Sequence, residues 1–213
     1  MPEPIAIVGL GGVLPGVSTL DDFWSIVEAG VDTASDPPPG RWCLDINRAY
    51  STNQAQSDRV HSRRACFIRD FEPDFEGIDL PSELIESLDP MVHLALHAGQ
   101  QAWRDSMTDS VDPARVGVML GNIVLPTASV SALADWILGR RFERELFRAA
   151  GMPMPPETRT PVAAINRWVA GLPATLLARG LRLGGDRFCI DAACASSLFT
   201  VELAVDALRR RRL

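Results

Sequence analysis

The sequence contains little cysteine, and its cysteines are not spaced as metal ligands or bridges. The four stand at positions 43, 66, 189 and 194, without the paired C-x-x-C spacing of a zinc site. Nor do they form the dense framework that staples a small secreted domain. We therefore expect each cysteine to be a reduced thiol.

Long apolar runs are absent as well. No run approaches the roughly 20 residues that a helix needs to cross a bilayer. The first residues also lack the charged-then-apolar order of a signal peptide. The sequence thus predicts a cytoplasmic protein without a membrane partner.

Excess positive charge is the third absence. The net charge of −6 provides no general attraction for nucleic acid or for an anionic membrane surface. The one basic run, Arg209 to Arg212, is interpreted as the last turn of a helix, where cations interact favourably with the helix dipole. We expect no nucleic-acid partner.

What is present is an alternation of strand-like and helix-like segments. The apolar runs PIAIVGLGG, RVGVMLGN and FCID predict short buried strands. STLDDFWSIVEAG predicts a helix capped by Ser18 or Thr19 and stopped at Gly30. An irregular stretch follows, and then ACFIRDFEPDFEGI predicts a short hairpin. This order predicts an α/β layered fold with a mixed, largely parallel sheet.

Two motifs in the first half resemble cofactor-binding or metal-binding motifs, but each lacks a required residue. The glycines near the start lack the third member of a dinucleotide-binding fingerprint, because Leu14 stands in its place. His93 and His97 have the spacing of a zinc protease motif, but Leu94 replaces the required glutamate. We expect no metal and no directly bound cofactor.

The segment SLDPMVHLALHAGQQAWRDSM predicts the most clearly defined helix. Asp89 can cap it, and Pro90 takes the first helical position. The predicted buried face consists of apolar residues at helical spacing: Met91, Leu94, Ala95, Ala98 and Ala102.

Beyond this helix lies a long connection, residues 122–161, with an amphipathic patch near Trp136. Connections of this length tend to be functional or to lie at interfaces. VAAINRWVAGLPATLLARG is typical of a helix on both sides of Pro173, which should break or kink it.

Cys194 lies between a strand over residues 188–191 and a helix, in the stretch FCIDAACASSLF. The helix is predicted to bury its large apolar positions, which are Leu198, Val201, Val205 and Leu208. A thiol on such a turn is a candidate nucleophile: the positive end of the helix dipole favours an anion, small neighbours leave room for a carbonyl group, and amides at the helix start can hold an oxyanion. A small buried apolar role remains equally open, whereas Cys189, inside the strand, is predicted to be core.

CIDAACASSLFTVELAVDAL resembles the active-site segment of the β-ketoacyl synthases, the condensing enzymes of fatty-acid and polyketide assembly. In that family a D-[TA]-A-C-[SA]-S-S-L pattern holds the acyl-accepting cysteine. Other landmarks resemble the family in its own order: IAIVGLGGVLPGVSTLDDFWSIVEAG, PPPGRW, FEPDFEGI, LDPMVHLALHAGQQAW, RVGVMLGN and INRWVAGLPATLLARGLRLGG. Positions 192 and 195 are alanine, where modular polyketide synthases commonly have threonine and serine. In this respect the segment is more similar to synthases of polyunsaturated fatty-acid or enediyne type.

The resemblance implies a thiolase-like layered fold in which residues 1–213 form the N-terminal half of a synthase, truncated after the active-site helix. It also implies a homodimer in which the strand before the cysteine pairs with its copy. Cys194 would be the catalytic residue and would accept an acyl group from an acyl carrier protein, whose phosphopantetheine arm carries the thioester. Condensation with a malonyl thioester would follow.

The family's two catalytic histidines belong to its second half, and His61, His93 and His97 match neither histidine motif. The expectation is that this chain alone does not condense. Two other classes stay open. One is a hydrolase with a cysteine nucleophile elbow, since small residues flank Cys194 two positions away on both sides. The other is a non-catalytic, synthase-like partner or remnant. The chain-length factors that pair with synthases are such partners, and the presence of Cys194 argues against this class because those factors usually lack the cysteine.

Overall fold

The computed structural model describes residues 3–17, 19–42, 44–53, 56–106, 110–123, 127–158 and 162–212. The chain divides into two compact units, one formed by Met1–Leu10 with Pro73–Leu213 and the other by Gly11–Glu72. Ser18 and Cys43 lie outside the described residues. In the described part of the chain, no helix is both long and apolar enough to cross a membrane.

The smaller unit contains helices α1 (Leu20–Glu28) and α2 (Ile46–Ala49). The hydroxyl of Thr19 accepts a hydrogen bond from the N–H of Asp22 at 3.0 Å, which confirms the predicted cap of α1. Gly30 follows the helix at φ 63°, a left-handed conformation that glycine adopts without steric cost. Helix start and stop were therefore both correctly predicted.

The predicted hairpin from Ala65 onward is wrong. Within the described residues of that segment, the only strand-like pairing is an isolated antiparallel bridge between Ser35 and Ala65. Polar side chains bind the nearby backbone instead: Arg64 donates to the carbonyl oxygen of Ala34 at 2.7 Å and Arg69 donates to that of Asp36 at 2.8 Å. In the segment itself, the backbone N–H of Asp74 donates to Nδ1 of His97 at 2.9 Å and that of Glu76 donates to Oδ1 of Asp74 at 2.8 Å, so these backbone groups are not available to a strand ladder.

The larger unit contains the remaining named elements. In chain order they are α3 (Ser82–Ser87), α4 (Pro90–Asp105), β1 (Val118–Gly121), α5 (Ala128–Ala134), α6 (Arg140–Ala149), α7 (Leu172–Gly180), β2 (Arg187–Ile190) and α8 (Ser196–Arg209). A π-helical turn over Asp135–Gly139 joins α5 to α6. The long connection is therefore mostly helical where the structure describes it.

The two strands form a parallel pair, with Val118 opposite Arg187 and Leu120 opposite Cys189. This confirms two of the three predicted strands and the α/β class with a parallel sheet. Parallel strands need a crossover connection, and here the chain between them contains α5, α6 and α7.

The prediction of a third strand, over PIAIVGLGG, is wrong. The described residues of this run form no strand, and the side chain of Ile7 is 84% exposed. The run lies instead against the end of α4, where the N–H of Leu10 donates to the carboxylate of Asp105 at 2.8 Å. A Cβ on Gly9 would collide with the carbonyl oxygen of Ala102, so this close approach requires glycine.

The hydrophobic core lies between α4 and α7 and extends under β1. Asp89 caps α4 as predicted, since its Oδ1 accepts the N–H of Met91 at 2.9 Å. The predicted buried face is wrong, because the residues that are fully buried in α4 are Val92, Leu96 and Gln100. Gly99 allows α7 to approach closely, as a Cβ there would overlap the side chain of Leu177.

Pro173 marks a boundary, as predicted, but it begins a helix. A 3₁₀ turn over Ala164–Trp168 precedes it, and Pro173 occupies the first turn of α7. A proline in the first turn loses no helical hydrogen bond, because that N–H would have no partner in the helix.

The face of α8 that packs is the opposite of the predicted one. Ser196, Thr200 and Ala207 are its buried residues, whereas Leu198 is 74% exposed and Val201 is 61% exposed. Small side chains allow the helix to approach β1 closely, so the small face is the packed one. The large apolar face points away from the described parts of this unit.

Candidate active site

Cys194 lies on a tight turn between β2 and α8. Residues Ala193–Ala195 form a single 3₁₀ turn, and the side chain of Cys194 is exposed. Ala193, directly before the cysteine, has φ 49°, a left-handed conformation that costs energy for a residue with a Cβ. The predicted strand, turn and helix around Cys194 are therefore present, and the thiol is accessible.

Hydrogen bonds fix the backbone on both sides of Cys194. The N–H of Ala193 donates to the carboxylate of Asp191 at 3.0 Å. The hydroxyl of Ser196 accepts the N–H of Ala192 at 2.9 Å and donates to the carbonyl oxygen of Ala193 at 2.7 Å. The N–H of Ala195 binds the carbonyl oxygen of Ala192 at 3.1 Å.

The backbone N–H of Cys194 differs from its neighbours. The N–H groups of Ala192, Ala193, Ala195 and Ser196 all have acceptors within the turn. Among the described residues, none accepts a hydrogen bond from the N–H of Cys194. A free amide next to an exposed thiol is the kind of donor that can hold the oxygen of an attacked carbonyl group.

Gly121 at the end of β1 brings the start of α8 into place. A Cβ at this position would lie 2.8 Å from the carbonyl carbon of Ser196 and 2.8 Å from the backbone nitrogen of Ser197. These contacts are too short for any side chain, so only glycine permits this packing. The sequence analysis did not identify Gly121 as a site residue, although a glycine at the end of a buried strand is a signal of close backbone approach.

Asn122, which follows β1, connects the site to the 3₁₀ turn before α7. Its backbone N–H donates to the carbonyl oxygen of Ile190 at 2.9 Å, and its side-chain amide donates to the carbonyl oxygens of Val169 and Ala170, both at 3.0 Å. One side chain thus satisfies two backbone groups beside the sheet edge. Sequence reasoning missed this residue because its partners lie far away in the chain.

A buried polar cluster consists of Asp89, Thr127 and Asn166. The carboxylate of Asp89 is fully buried and accepts a hydrogen bond from the hydroxyl of Thr127. The side chain of Asn166 accepts the N–H of Asp89 at 2.9 Å and donates to the carbonyl oxygen of Ser87 at 3.0 Å. The start of α4, the start of α5 and the 3₁₀ turn are therefore tied together.

Cys189 lies in β2 and is partly buried, in contact with the core, as predicted. Burial raises the pKa of its thiol, and a hydrogen bond with the backbone of Ala174 opposes this to a smaller extent. The folded state thus holds the Cys189 proton more tightly than the unfolded chain. Stability should therefore fall as pH rises above the ordinary pKa of a cysteine.

Thiol labelling tests this contrast between the cysteines. We expect iodoacetamide at mildly alkaline pH to label Cys194 and Cys66, which are both exposed, well before Cys189. Alkylation requires an accessible thiolate, and burial disfavours both the access and the ionisation of Cys189. Peptide mass mapping at timed intervals measures the order. Equal rates at Cys189 and Cys66 would contradict the placement of β2.

The ring nitrogens of the three histidines contact backbone groups. His93 contacts the carbonyl oxygen of Ile85 through Nε2 at 2.7 Å, and Nδ1 of His97 accepts the N–H of Asp74 at 2.9 Å. His61 Nδ1 lies 3.1 Å from the carbonyl oxygen of Ser51. In the part of the chain that the structure describes, no group of three potential ligands could hold a metal ion.

The basic run at the end of α8 is partly neutralised within its own helix. Arg210 pairs with Asp206 at 2.8 Å, and Arg212 pairs with the same carboxylate at 3.5 Å. These exposed pairs are typical of a solvated helix end.

A sequence model of the β-ketoacyl synthase N-terminal domain matches residues 2–213. The chain belongs to this family. Its structure is similar to a solved structure titled PfaC keto synthase-chain length factor, with a TM-score of 0.82 and 29% identity over 97% of this chain and 23% of that one. The fold is thus that of a ketosynthase, and the thiolase-like class predicted from the sequence is confirmed.

Other relatives of this synthase domain are much longer proteins. It is 30% identical, over 98% of its length, to a phenolphthiocerol/phthiocerol polyketide synthase of Mycobacterium tuberculosis. It is 25% identical, also over 98% of its length, to a polyunsaturated fatty acid synthase of a Thraustochytrium species. The chain spans 10% of the first protein and 8% of the second. Both pathway types are therefore represented among its relatives.

Proposed function

We propose that this chain supplies the acyl-accepting half of a β-ketoacyl synthase and that Cys194 is the nucleophile. The observation that carries the proposal is the exposed Cys194 thiol beside its own unengaged N–H group, in a chain whose family performs acyl condensation. The start of α8 adds the positive end of a helix dipole, which favours negative charge on the oxyanion.

The first step is transfer of an acyl group between two sulfur atoms. Cys194 loses its proton to solvent, and its sulfur attacks the carbonyl carbon of an acyl thioester. The bond from this carbon to Sγ forms, the bond to the donor sulfur breaks, and the departing thiolate takes a proton from solvent. Thioester exchange suits a cysteine, because the acyl enzyme and the substrate are close in energy.

The donor in this proposal is an acyl carrier protein that presents the thioester on a phosphopantetheine arm. The much greater length of the synthase relatives is consistent with such a partner, and the exposure of Cys194 permits an external arm to reach it. The acyl group would then pass to the carbanion formed when a malonyl thioester loses carbon dioxide.

The second step requires further groups, and members of the family use two catalytic histidines for it. Ring nitrogens of His61, His93 and His97 contact backbone groups, and none of the three matches the family's histidine motifs. We therefore propose that the chain accepts acyl groups but does not condense them by itself.

A homodimer is part of the same proposal. Of the strands that the structure describes, β2 pairs with β1 alone, so its other edge can extend the sheet into a second copy. The exposed apolar face of α8, with Leu198 and Val201, is a second surface on which another copy could pack.

Intact mass spectrometry tests the proposed function. Incubation of the protein with an acyl carrier protein that carries a short acyl chain should add the mass of one acyl group and release the free carrier. The physical reason is that both sulfur atoms form thioesters of similar energy. Later addition of a malonyl thioester should cause no condensation, because we propose that the chain does not condense acyl groups by itself. Absence of any mass gain over many hours would contradict acyl acceptance.

A further inference from the structure

The hydroxyl of Ser196 occupies a special position in the turn. Ser196 is only 6% exposed, and its oxygen both accepts the N–H of Ala192 and donates to the carbonyl oxygen of Ala193. A hydroxyl is suited to this because it offers one donor and two acceptor sites. A single side chain thus binds two peptide units of the turn, the one that joins Asp191 to Ala192 and the one that joins Ala193 to Cys194.

One of these peptide units contains the free amide of the site. The carbonyl group of Ala193 and the N–H of Cys194 belong to the same peptide bond, which is planar and rigid. Fixing the direction of the carbonyl oxygen therefore fixes the direction of the Cys194 N–H. A hydrogen bond to the oxygen also polarises the amide and makes its N–H a stronger donor.

The backbone needs this support because its conformation is unfavourable. Ala193 has φ 49°, and without restraint an alanine prefers the right-handed or extended regions. A return to those regions would rotate the peptide plane and turn the Cys194 N–H away. The carboxylate of Asp191 holds the N–H side of Ala193, and the hydroxyl of Ser196 holds the carbonyl side.

We infer that Ser196 is a positioning residue that sets the direction of the Cys194 N–H and thereby the rate at which Cys194 accepts an acyl group. The inference rests on the proposed function. In the transfer step, the thioester carbonyl oxygen becomes an oxyanion while the bond to Sγ forms. The Cys194 N–H stabilises this oxyanion until the bond to the donor sulfur breaks.

The test compares two reactions of the same thiol in the whole chain. Acylation by a short acyl-pantetheine thioester forms an oxyanion and depends on the amide, whereas alkylation by iodoacetamide forms none. The variant is Ser196→Ala, and Ser197→Ala is the matched control, since the next serine is exposed. Rates at Cys194 are followed by peptide mass mapping. In the same sample, alkylation of the exposed Cys66 measures the reactivity of the reagent, and protection of the partly buried Cys189 shows that the protein is folded.

We expect Ser196→Ala to slow acylation of Cys194 about 10- to 100-fold, as small misplacements of catalytic groups do. Its alkylation rate should change by less than about threefold. Ser197→Ala should match the parent in both reactions, and Ser196→Thr, which keeps the hydroxyl, should recover most of the acylation rate.

Three results would overturn the inference. They are an unchanged acylation rate in Ser196→Ala, an equal loss in both reactions, and exposure of Cys189 to alkylation, since the hydroxyl would then support the fold as a whole. Failure of the proposed function would be distinguishable from these results, because the parent protein itself would then show no acylation at Cys194.

Discussion

Replacement of Cys194 by alanine is expected to abolish acyl uptake completely. The parent protein, incubated with a short acyl-pantetheine thioester, should gain the mass of one acyl group, and the Cys194→Ala variant should gain none. The reason is that Cys194 combines exposure with an adjacent free N–H. Of the other cysteines that the structure describes, neither lies at the start of a helix.

Cys66→Ala is the matched control for this experiment, because Cys66 is also exposed. The hydroxyl of Thr33 lies 3.5 Å from its sulfur, but no strand-to-helix turn surrounds it. This variant should take up acyl groups as the parent does. A mass gain that survives in Cys194→Ala and disappears in Cys66→Ala would contradict the proposal, because it would place the nucleophile in the smaller unit.

The second large effect is expected in the core. Leu96→Ala should lower the free energy of unfolding by about 2–5 kcal/mol, the usual loss when a fully buried leucine is truncated. Leu96 is 0% exposed and belongs to the cluster between α4 and α7. Urea unfolding followed by circular dichroism gives the two free energies.

Leu198→Ala provides the comparison, since it removes the same atoms from a side chain that is 74% exposed. In this chain its effect should stay within about 0.5 kcal/mol, as is usual for surface substitutions. Equal losses in the two variants would contradict the observed packing of α8, because they would place both leucines in the interior. The predicted buried face of α8 would then be correct after all.

The parts of the fold that follow from short-range interactions were predictable. Asp89 caps α4 through the N–H of Met91, and Thr19 caps α1 through that of Asp22. These bonds join residues two or three positions apart, so the sequence pattern contains both partners. The same holds for the turn at Cys194, whose strand, small residues and helix are consecutive.

The failures all depend on partners that are distant in the chain. An apolar run such as that around Ile7 has the composition of a strand, but it forms one only where a neighbouring strand is available. The packed face of α8 could not be predicted from hydrophobicity, because close contact with Gly121 selects the small side chains instead. Hydrophobic periodicity identifies the larger apolar face, which here is the exposed one.

The site shows the same division. Cys194 was predicted to be a candidate nucleophile from its local context and from the resemblance of its segment to a family motif. The hydrogen bonds of Ser196 and the close packing at Gly121 became evident only from the structure. A serine in the first turn of a helix has many local options, and the sequence does not reveal which backbone groups its hydroxyl will bind.

The parallel pairing of β1 and β2 also has a kinetic consequence. Val118 pairs with Arg187, so the contact closes a long loop. Such long-range parallel pairing forms slowly, because the chain loses the entropy of loop closure before the new contacts stabilise it. The Cys194 turn depends on this pairing, since Gly121 and α8 meet only once β1 and β2 are in register. During synthesis, helices such as α4 can therefore form early, whereas the turn that contains Cys194 forms among the last events of folding.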